Sequence, residues 1–193
     1  ESYLMTGKLE KTNECYAIAK IAGIKLCEAL YSLHNLDIVA LMPTNIYGIN
    51  DNFDKETGHV IPAMISKFIE AKEKNRKKII LWGSGKPERE FLHAEDLASA
   101  IIQVMSVSKK ELYIKSGKNF PLINVGSNEV ITIKKLSEMI KKFVDFKGEI
   151  VFDRKFPDGT LKKNLDSRII KNLGWKPKIK LSSGLKVVIG SRN

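Results

Sequence analysis

The sequence predicts an α/β protein with a parallel sheet, and two observations support this prediction. Helical patterns alternate with short β-branched strands along most of the 193 residues, as in chains that pack helices against a parallel sheet. The first long helical pattern leads into a continuous apolar strand at 37–42 and then into a loop rich in Pro, Asn and Gly. Hydrophobic residues make up 43% of the chain and charged residues 28%, which is typical of a globular domain that buries a core.

The first quarter of the chain is predicted to hold one long helix, one strand and one loop. Thr12 or Asn13 suits the N-cap of a helix that runs to about His34, and apolar residues lie on nearly all its sides. We therefore expect this helix to be buried on more than one face. The 43–48 loop follows the strand, at the edge where open parallel sheets bind ligands, so it either contacts a ligand or forms an ordinary turn.

The remaining elements follow from hydrophobic periodicity and turn residues. A helix is predicted from His59 to about Lys74, because Pro62 suits a first helical turn. Residues 108–120 are interpreted as a lysine-rich loop. The other predicted elements are strands at 79–82, 88–93, 121–126 and 149–153, and helices at 94–107, 132–146, 167–174 and 181–189.

Tyr16 and Lys20 are the first candidate catalytic pair. They are four residues apart, so on a helix they lie on one face about one turn apart. An unperturbed phenol loses its proton only near pH ~10, and a lysine ammonium one turn away favours the phenolate. A tyrosine in this setting can give or take a proton during hydride transfer. The same spacing also occurs by chance on many amphipathic helices.

Two further residues point to chemistry, and each has a structural alternative. His59 precedes a helix, where it could donate to a ligand, act as an acid or serve as a structural hydrogen-bonding group. Arg89 could bind a phosphate through two parallel hydrogen bonds, or it could form a salt bridge with Glu90 or Glu95. The Gly-x-Gly turn at 83–85 leads into a strand, so it does not match a dinucleotide-binding fingerprint.

The formal charge is +11, from 33 Lys and Arg against 22 Asp and Glu. Nucleic-acid binding is one interpretation of this excess. However, no aromatic residues interleave with the lysines to stack bases, and no nucleic-acid motif is present. We therefore interpret the lysines as solvated surface with some attraction for phosphorylated small molecules, and we expect no nucleic-acid partner.

Cysteine usage and hydropathy indicate the setting of the chain. Cys15 and Cys27 have neither zinc-type spacing nor a disulfide framework, so we predict no metal site and expect both to be small buried residues. Unpaired cysteines fit a reducing, cytoplasmic location. No basic-then-apolar segment opens the chain, and no apolar run approaches the roughly 20 residues that cross a bilayer, so we expect neither a signal peptide nor a membrane partner.

Six motifs together carry a resemblance to a known family. In chain order they are Tyr16-x-x-x-Lys20, Pro-Thr-Asn-Ile-Tyr-Gly at 43–48, His-Val-Ile-Pro at 59–62, Trp-Gly-Ser-Gly at 82–85, Arg-Glu-Phe-Leu-His at 89–93 and Pro-Asp-Gly-Thr-x-x-Lys at 157–163. In this order and spacing the chain resembles the GDP-L-fucose synthase family, NADPH-dependent epimerase–reductases among the extended short-chain dehydrogenases. The resemblance extends from residue 1 to about 185. The family's leading part, with its Gly-rich segment for the NADPH pyrophosphate, has no counterpart here.

The resemblance implies roles on the cofactor side. Tyr16 corresponds to the catalytic tyrosine that protonates the C4 oxygen, and Lys20 to its partner, which also holds the nicotinamide ribose. His59 corresponds to a histidine near the cofactor, proposed as the acid in the C3/C5 epimerisation. The segment along the nicotinamide end of NADPH corresponds to four consecutive residues, Pro43, Thr44, Asn45 and Ile46.

The resemblance also implies a set of residues that bind the GDP part of the substrate. Trp82, Arg89 and Lys163 correspond to positions that pack near guanine or place charge on the diphosphate, where charge-assisted hydrogen bonds are short and strong. Asp158 is their neighbour. Lys67 stands where the family has a substrate-contacting arginine, so it keeps the charge and lacks the planar fork.

The implied architecture is the C-terminal part of a Rossmann-type NAD(P)-binding fold with a smaller α/β substrate-binding domain. Residues 1–58 would belong to the cofactor-binding domain. Residues 59–193 would be mostly the substrate-binding domain, with a returning strand–helix segment of the Rossmann domain near 88–126. The family also implies a homodimer that pairs through the Tyr–Lys helix.

The expected activity is the NADPH-dependent conversion of GDP-4-keto-6-deoxy-D-mannose to GDP-L-fucose. We expect this chain to be inactive alone, because half of the family's cofactor site lies in the leading part. One alternative is another nucleotide-sugar epimerase or dehydratase of the same superfamily. An alternative of another class is a non-catalytic, basic binding module.

Overall fold

The computed structural model describes residues 1–117 and 120–192, with the Thr12 side chain left out of the description. It has the mixed α/β architecture that the sequence predicts, and none of the described helices is long and apolar enough to span a membrane. After a 3-10 turn at Lys11–Asn13, the elements are α1 Glu14–His34, β1 Ala40–Pro43, β2 Asn45–Tyr47, α2 Val60–Glu73, β3 Lys78–Trp82, β4 Glu88–His93, α3 Ala94–Met105, α4 Lys109–Ser116, β5 Leu122–Val125, β6 Val130–Thr132, α5 Ile133–Val144, β7 Glu149–Asp153, β8 Lys162–Lys163, α6 Arg168–Asn172 and α7 Leu181–Gly190.

Most of the strand pairs are parallel, which confirms the predicted sheet type. β1 pairs with β5, and β3 pairs with β7, both in parallel. β4 has three partners: β2 in parallel along its second half, β6 in antiparallel orientation, and β8 in parallel along its first half. Parallel pairs need crossover connections, and the helices between these strands provide them.

Two hydrophobic clusters form the core, and β4 contributes to both. One cluster joins α2, α5 and α7 with β3, around buried residues such as Phe68 and Leu185. The other joins α3, β5 and α6, around residues such as Ile123. Phe91 belongs to the first cluster and Leu92 to the second, because successive side chains of a strand point to opposite faces.

The long first helix has its predicted range, but its predicted burial was wrong for this chain. No residue of α1 is buried, and Leu33 is 78% exposed. An apolar helix face is buried only when another element covers it. The described residues cover α1 only in part, through contacts such as that of Tyr31 with Phe120, and leave its other apolar residues exposed. The same reason exposes Cys15, while Cys27 is partly exposed, against the expectation that both are buried. The Asn13 side chain makes no capping hydrogen bond.

Two segments predicted as loops contain regular structure. Residues 109–116 form α4. Its N-cap is Ser108, whose hydroxyl accepts from the Glu111 amide, and its C-cap is Gly117, with a left-handed φ of 62°. The remaining lysine-rich residues, 118 and 119, lie outside the described residues. In the 43–48 loop, three residues pair with β4 as the short strand β2.

A close contact with α7 supports the carboxyl ends of β2 and β4. Tyr47 lies opposite His93 in the strand register, and their rings meet edge to face with centroids 5.2 Å apart. Gly184 of α7 packs against this pair, and a Cβ at that position would lie 2.2 Å from the Tyr47 hydroxyl oxygen. Only glycine leaves room for the buried tyrosine at this crossing.

We expect Gly184→Ala to destabilise the fold by about 1–3 kcal/mol, because overpacking a tight core forces side chains and backbone to shift. Gly190→Ala in the same helix is the control, since a Cβ there meets nothing within 4 Å. Urea unfolding measures both changes in free energy. Equal effects of the two substitutions would contradict the proposed contact.

Candidate active site

Tyr16 and Lys20 lie on one face of α1, as their spacing predicts. The Lys20 Nζ is 5.5 Å from the centroid of the Tyr16 ring. Tyr16 is 60% exposed, so its hydroxyl can reach a ligand. The helix thus brings a cation and a phenol together. Within the described part of the chain, neither side chain is engaged by a hydrogen bond or salt bridge to another residue.

The segment from Pro43 to Ile46 connects β1 to β2 at the carboxyl edge of β1. The Thr44 amide donates to the Val125 carbonyl at 3.0 Å, which extends the pairing of β1 with β5. The Thr44 hydroxyl and the Asn45 side-chain amide both donate to the Glu90 carbonyl, each at 2.9 Å. These bonds fix the segment against β4.

His59 occupies the N-cap position of α2, where its side chain makes no capping hydrogen bond. The imidazole is 82% exposed, and its Nδ1 lies 3.5 Å from the Asp51 carboxylate. The structure therefore gives His59 an exposed position next to an acid rather than a buried structural role.

One cavity of about 1050 Å³ brings most of these residues together. Tyr16, Lys20 and His59 line it, and so do the Pro43–Ile46 segment and Lys163. It opens beyond the carboxyl ends of β1, β2 and β4, where open α/β sheets bind their ligands. The other predicted site residues, Lys67, Trp82, Arg89 and Asp158, do not line this cavity in the described chain.

Arg89 lies beside Lys163, on the neighbouring strand. The two residues are register partners in the parallel pair of β4 and β8. The Arg89 Nη1 donates to the carbonyls of Glu88, at 2.8 Å, and Thr160, at 2.6 Å, rather than to the carboxylates of Glu90 or Glu95. Burial lowers the pKa of the Arg89 guanidinium, and the charge of Asp158 opposes that shift.

Trp82 is the centre of a second group, at the end of β3. Its ring stacks on Phe156 with centroids 4.5 Å apart and an interplanar angle of 15°. The Lys67 Nζ lies 5.2 Å from the Trp82 ring centroid, within the range of a cation–π contact. Trp82 remains 62% exposed, so the group offers an aromatic surface with a cation beside it.

Asp158 holds the turn that follows Trp82. One carboxylate oxygen accepts from the Ser84 amide at 2.8 Å, and the other accepts from the Ser84 hydroxyl at 2.6 Å. These hydrogen bonds, that of the hydroxyl most strongly, lower the pKa of Asp158. Gly83 has a φ of 81°, and a Cβ there would lie 2.4 Å from the Asp158 carboxylate. Asp158 thus contacts the protein through both of its oxygens.

The model of a protein family, described as the NAD dependent epimerase/dehydratase family, matches residues 1–115. The chain belongs to this family. The matched part includes the Tyr–Lys helix, the Pro43–Ile46 segment and β4, and so most of the cavity. A mixed α/β, Rossmann-type fold is common to this epimerase/dehydratase family and the present structure.

Three relatives illustrate the similarity. The chain is 46% identical to GDP-L-fucose synthase 1 of Arabidopsis thaliana, over 96% of its own length and 54% of the relative's. It is also 46% identical to GDP-L-fucose synthase of Escherichia coli K12, over 96% of its length and 58% of the relative's. A crystal structure of a GDP-D-glycero-L-gluco-heptose synthase from Campylobacter jejuni, in the presence of NADPH, superposes with a TM-score of 0.88 at 32% identity, covering 99% of this chain and 64% of that one. The chain therefore spans about half the length of the curated relatives it matches.

The structure of this epimerase/dehydratase chain adds residues that sequence reasoning did not select. Tyr47, Asp51 and His93 line the cavity, and Phe156 stacks on Trp82. Burial raises the pKa of the Tyr47 hydroxyl, and the charges of Glu129 and Asp96 add to the shift. Tyr47 and His93 are each the last residue of a strand. Their place at the carboxyl ends of parallel strands, where such sheets bind ligands, was the signal that could have identified them.

We expect Asp158→Asn to loosen the turn beside Trp82, because an amide offers one acceptor where the carboxylate offers two to Ser84. Acrylamide quenching of tryptophan fluorescence measures the change, since Trp82 is exposed and Trp175 is buried.

A depressed pKa means that the carboxylate stabilises the turn at neutral pH and that this contribution is lost as the pH falls through the lowered pKa. Acidification should therefore increase quenching in the wild type and have less effect on Asp158→Asn.

Asp166→Asn is the matched control for this experiment. Asp166 is also an exposed carboxylate with a lowered pKa, but its partner is Arg168, outside the Trp82 group. Its substitution should leave the quenching of Trp82 unchanged. If Asp158→Asn and Asp166→Asn behave alike, Asp158 does not hold this turn.

Proposed function

We propose that this chain supplies the Tyr–Lys helix and the substrate-binding side of an NADPH-dependent epimerase–reductase that converts GDP-4-keto-6-deoxy-D-mannose to GDP-L-fucose. The observation that carries the proposal is the shared cavity of Tyr16, Lys20, His59 and Lys163. The similarity to GDP-L-fucose synthases over 96% of the chain supports the choice of substrate.

The residues on the cofactor side suit a nicotinamide nucleotide. Lys20 offers an ammonium to the ribose hydroxyls, and the Pro43–Ile46 segment is held by Glu90 and Val125 along the same wall. When bound, NADPH supplies a hydride to the C4 carbon of the keto sugar. The similar GDP-heptose synthase was crystallised in the presence of NADPH, which supports the same cofactor here.

Tyr16 and His59 would move protons at two different positions of the sugar. The Tyr16 hydroxyl donates its proton to the C4 oxygen as the carbonyl becomes an alcohol, and the Lys20 ammonium stabilises the phenolate that remains. His59 acts as the acid in the epimerisation at C3 and C5, where its exposed ring can approach the face of the sugar. The Asp51 carboxylate lies 3.5 Å from the His59 Nδ1, where it can orient the ring.

The nucleotide part of the substrate would extend from the cavity toward Trp82. Lys163 lines the cavity and Arg89 is its register partner, so the diphosphate would lie along these two cations. The guanine would contact the exposed Trp82 ring, with Lys67 beside it. In this arrangement Asp158 acts indirectly, by holding the Ser84 turn that orients Trp82.

The same proposal includes the domain division, the assembly and the location. Residues 1–58 belong to the cofactor-binding domain and 59–193 mostly to the substrate-binding domain, with the 88–126 segment returning to the former. A homodimer through α1 is supported by the exposed apolar residues of that helix, such as Leu26 and Leu33. A cytoplasmic location is supported by the two free cysteines.

A second candidate is a reductase or epimerase that acts on another GDP-sugar. The similarity to the GDP-heptose synthase, at a TM-score of 0.88, favours this alternative over one that uses a different nucleotide. This candidate function would use the same GDP-binding residues and would differ only in the sugar. Titration with GDP-4-keto-6-deoxy-D-mannose and with a GDP-heptose separates the two candidates.

Calorimetric titration of this chain should show binding of GDP in the micromolar to sub-millimolar range and much weaker binding of UDP. Arg89→Ala should weaken GDP binding by about tenfold or more, because a hydrogen bond to a charged group contributes about 1.5–3 kcal/mol. Arg76→Ala is the control, since Arg76 is exposed and pairs with Glu70. Equal affinity for GDP and UDP would contradict the proposed substrate.

Substitutions of Lys163 and of the adjacent Lys162 form a matched pair that tests where the diphosphate binds. Lys163 lines the cavity, whereas the adjacent Lys162 Nζ lies 3.9 Å from the Glu88 carboxylate. Lys163→Ala should weaken GDP binding and reduce its dependence on salt, because one cation fewer meets the phosphates. Lys162→Ala should leave both properties close to those of the wild type. A larger effect of Lys162→Ala would place the diphosphate elsewhere.

A further inference from the structure

Glu90 is fully buried on β4, although glutamate is rarely buried without a partner. Its Oε1 accepts from the Asn128 amide at 2.6 Å, and its Oε2 accepts from the Leu165 amide at 2.9 Å. One carboxylate thus fixes two loops that lie far apart in sequence. The second of these loops follows directly after Lys163.

The backbone of the same residue holds a second segment of the cavity lining. Its carbonyl accepts from the Thr44 hydroxyl and from the Asn45 side-chain amide. Thr44 and Asn45 line the cavity, and Lys163 and Leu165 line it as well. Glu90 therefore lies behind two cavity-lining segments and is hydrogen-bonded to both.

The surroundings of the carboxylate are shaped to fit it. A Cβ at Gly126 would lie 2.3 Å from the Glu90 Oε1, so a glycine is needed for this approach. Asn128 has a positive φ of 61°, which L residues adopt mainly when they are Asn or Asp. The turn that contains both residues is thus conformationally adapted to present the Asn128 amide to the carboxylate.

We propose that Glu90 is a positioning residue, which holds the Thr44–Asn45 segment and the Lys163–Leu165 segment of the cavity lining in fixed positions relative to each other. The Glu90 carbonyl holds the Thr44–Asn45 segment on the cofactor side, and the Glu90 carboxylate holds the segment that follows Lys163 on the substrate side. The identity of the ligand, GDP, rests on the proposed function. The geometric part of the inference does not depend on it.

Asp96 provides a control of the same chemistry. It is also a buried carboxylate, and its two oxygens accept from the amides of Lys178 and Ile179, each at 2.9 Å. These partners lie outside the lining of the cavity. Glu90→Gln and Asp96→Asn each replace one acceptor oxygen with an NH₂ group that faces an amide donor, so both should reduce stability.

The experiment compares the two variants in the 193-residue chain. In Glu90→Gln, amide hydrogen exchange at Asn128 and Leu165, followed by NMR, should become about tenfold faster or more, relative to global unfolding. GDP affinity in the same variant should fall by about fivefold or more, because the Lys163 segment is no longer fixed. Asp96→Asn should leave both quantities within about twofold of the wild type.

Three results would decide against the inference or separate it from the proposed function. If both variants lose thermal stability alike, with unchanged exchange at Asn128 and Leu165, Glu90 is only structural. If the wild type does not bind GDP, the proposed substrate is wrong, and the exchange rates still decide the role of Glu90. Unchanged GDP affinity with faster exchange would remove the link to substrate binding.

Leu165→Pro is a second variant, for use if Glu90→Gln does not fold. It removes one of the two donors to the carboxylate, in a loop residue that belongs to neither core cluster. We expect faster amide exchange at Lys163 and weaker GDP binding. Exchange at Lys163 equal to that of the wild type would overturn the inference.

Discussion

The cavity depends on one strand, β4, which must pair with three other strands at once. Its second half pairs with β2, which carries the Pro43–Ile46 segment into the cavity, and its first half pairs with β6 and β8. Arg89 pairs with both β6 and β8, and Glu90 lies between this overlap and the residues that pair with β2. A shift of one residue in the register of β4 would turn Glu90 toward the other face and exchange the two core clusters, so the site and the core constrain the same register.

The long and strongly periodic elements could be predicted from the sequence, because their hydrophobic pattern repeats over several turns or along a buried strand. α1, α2, α5 and β4 are examples, and the parallel α/β class is confirmed with them. β2 and β8 have three and two residues, too few for a period to be recognised. The many lysines of α4 suggested a loop, although its capping residues, Ser108 and Gly117, are present in the sequence. The burial of α1 depends on which other element packs against it, and the sequence of the helix alone does not contain that information.

The candidate site shows the same division between local pattern and long-range contact. Sequence motifs indicated Tyr16, Lys20 and His59, and the structure brings them into one cavity with Lys163. Asp158 was selected by its neighbours in a motif, yet its oxygens bind the Ser84 turn across 74 residues of sequence. Glu90 was considered only as a partner for Arg89. Its actual partners are backbone amides, which any residue type can supply, so no pattern of side chains could reveal them.

Three acids near the site take their hydrogen bonds from groups other than lysine and arginine side chains. The buried Glu90 and Asp96 accept from backbone amides, and the exposed Asp158 accepts from the amide and hydroxyl of Ser84. Arg89 in turn donates to backbone carbonyls. Amide, hydroxyl and carbonyl groups thus stabilise these charges of both signs, and none of the three acids pairs with Arg89 or Lys163. The two cations would remain available to an anionic ligand, and the net charge of +11 would favour its approach at long range.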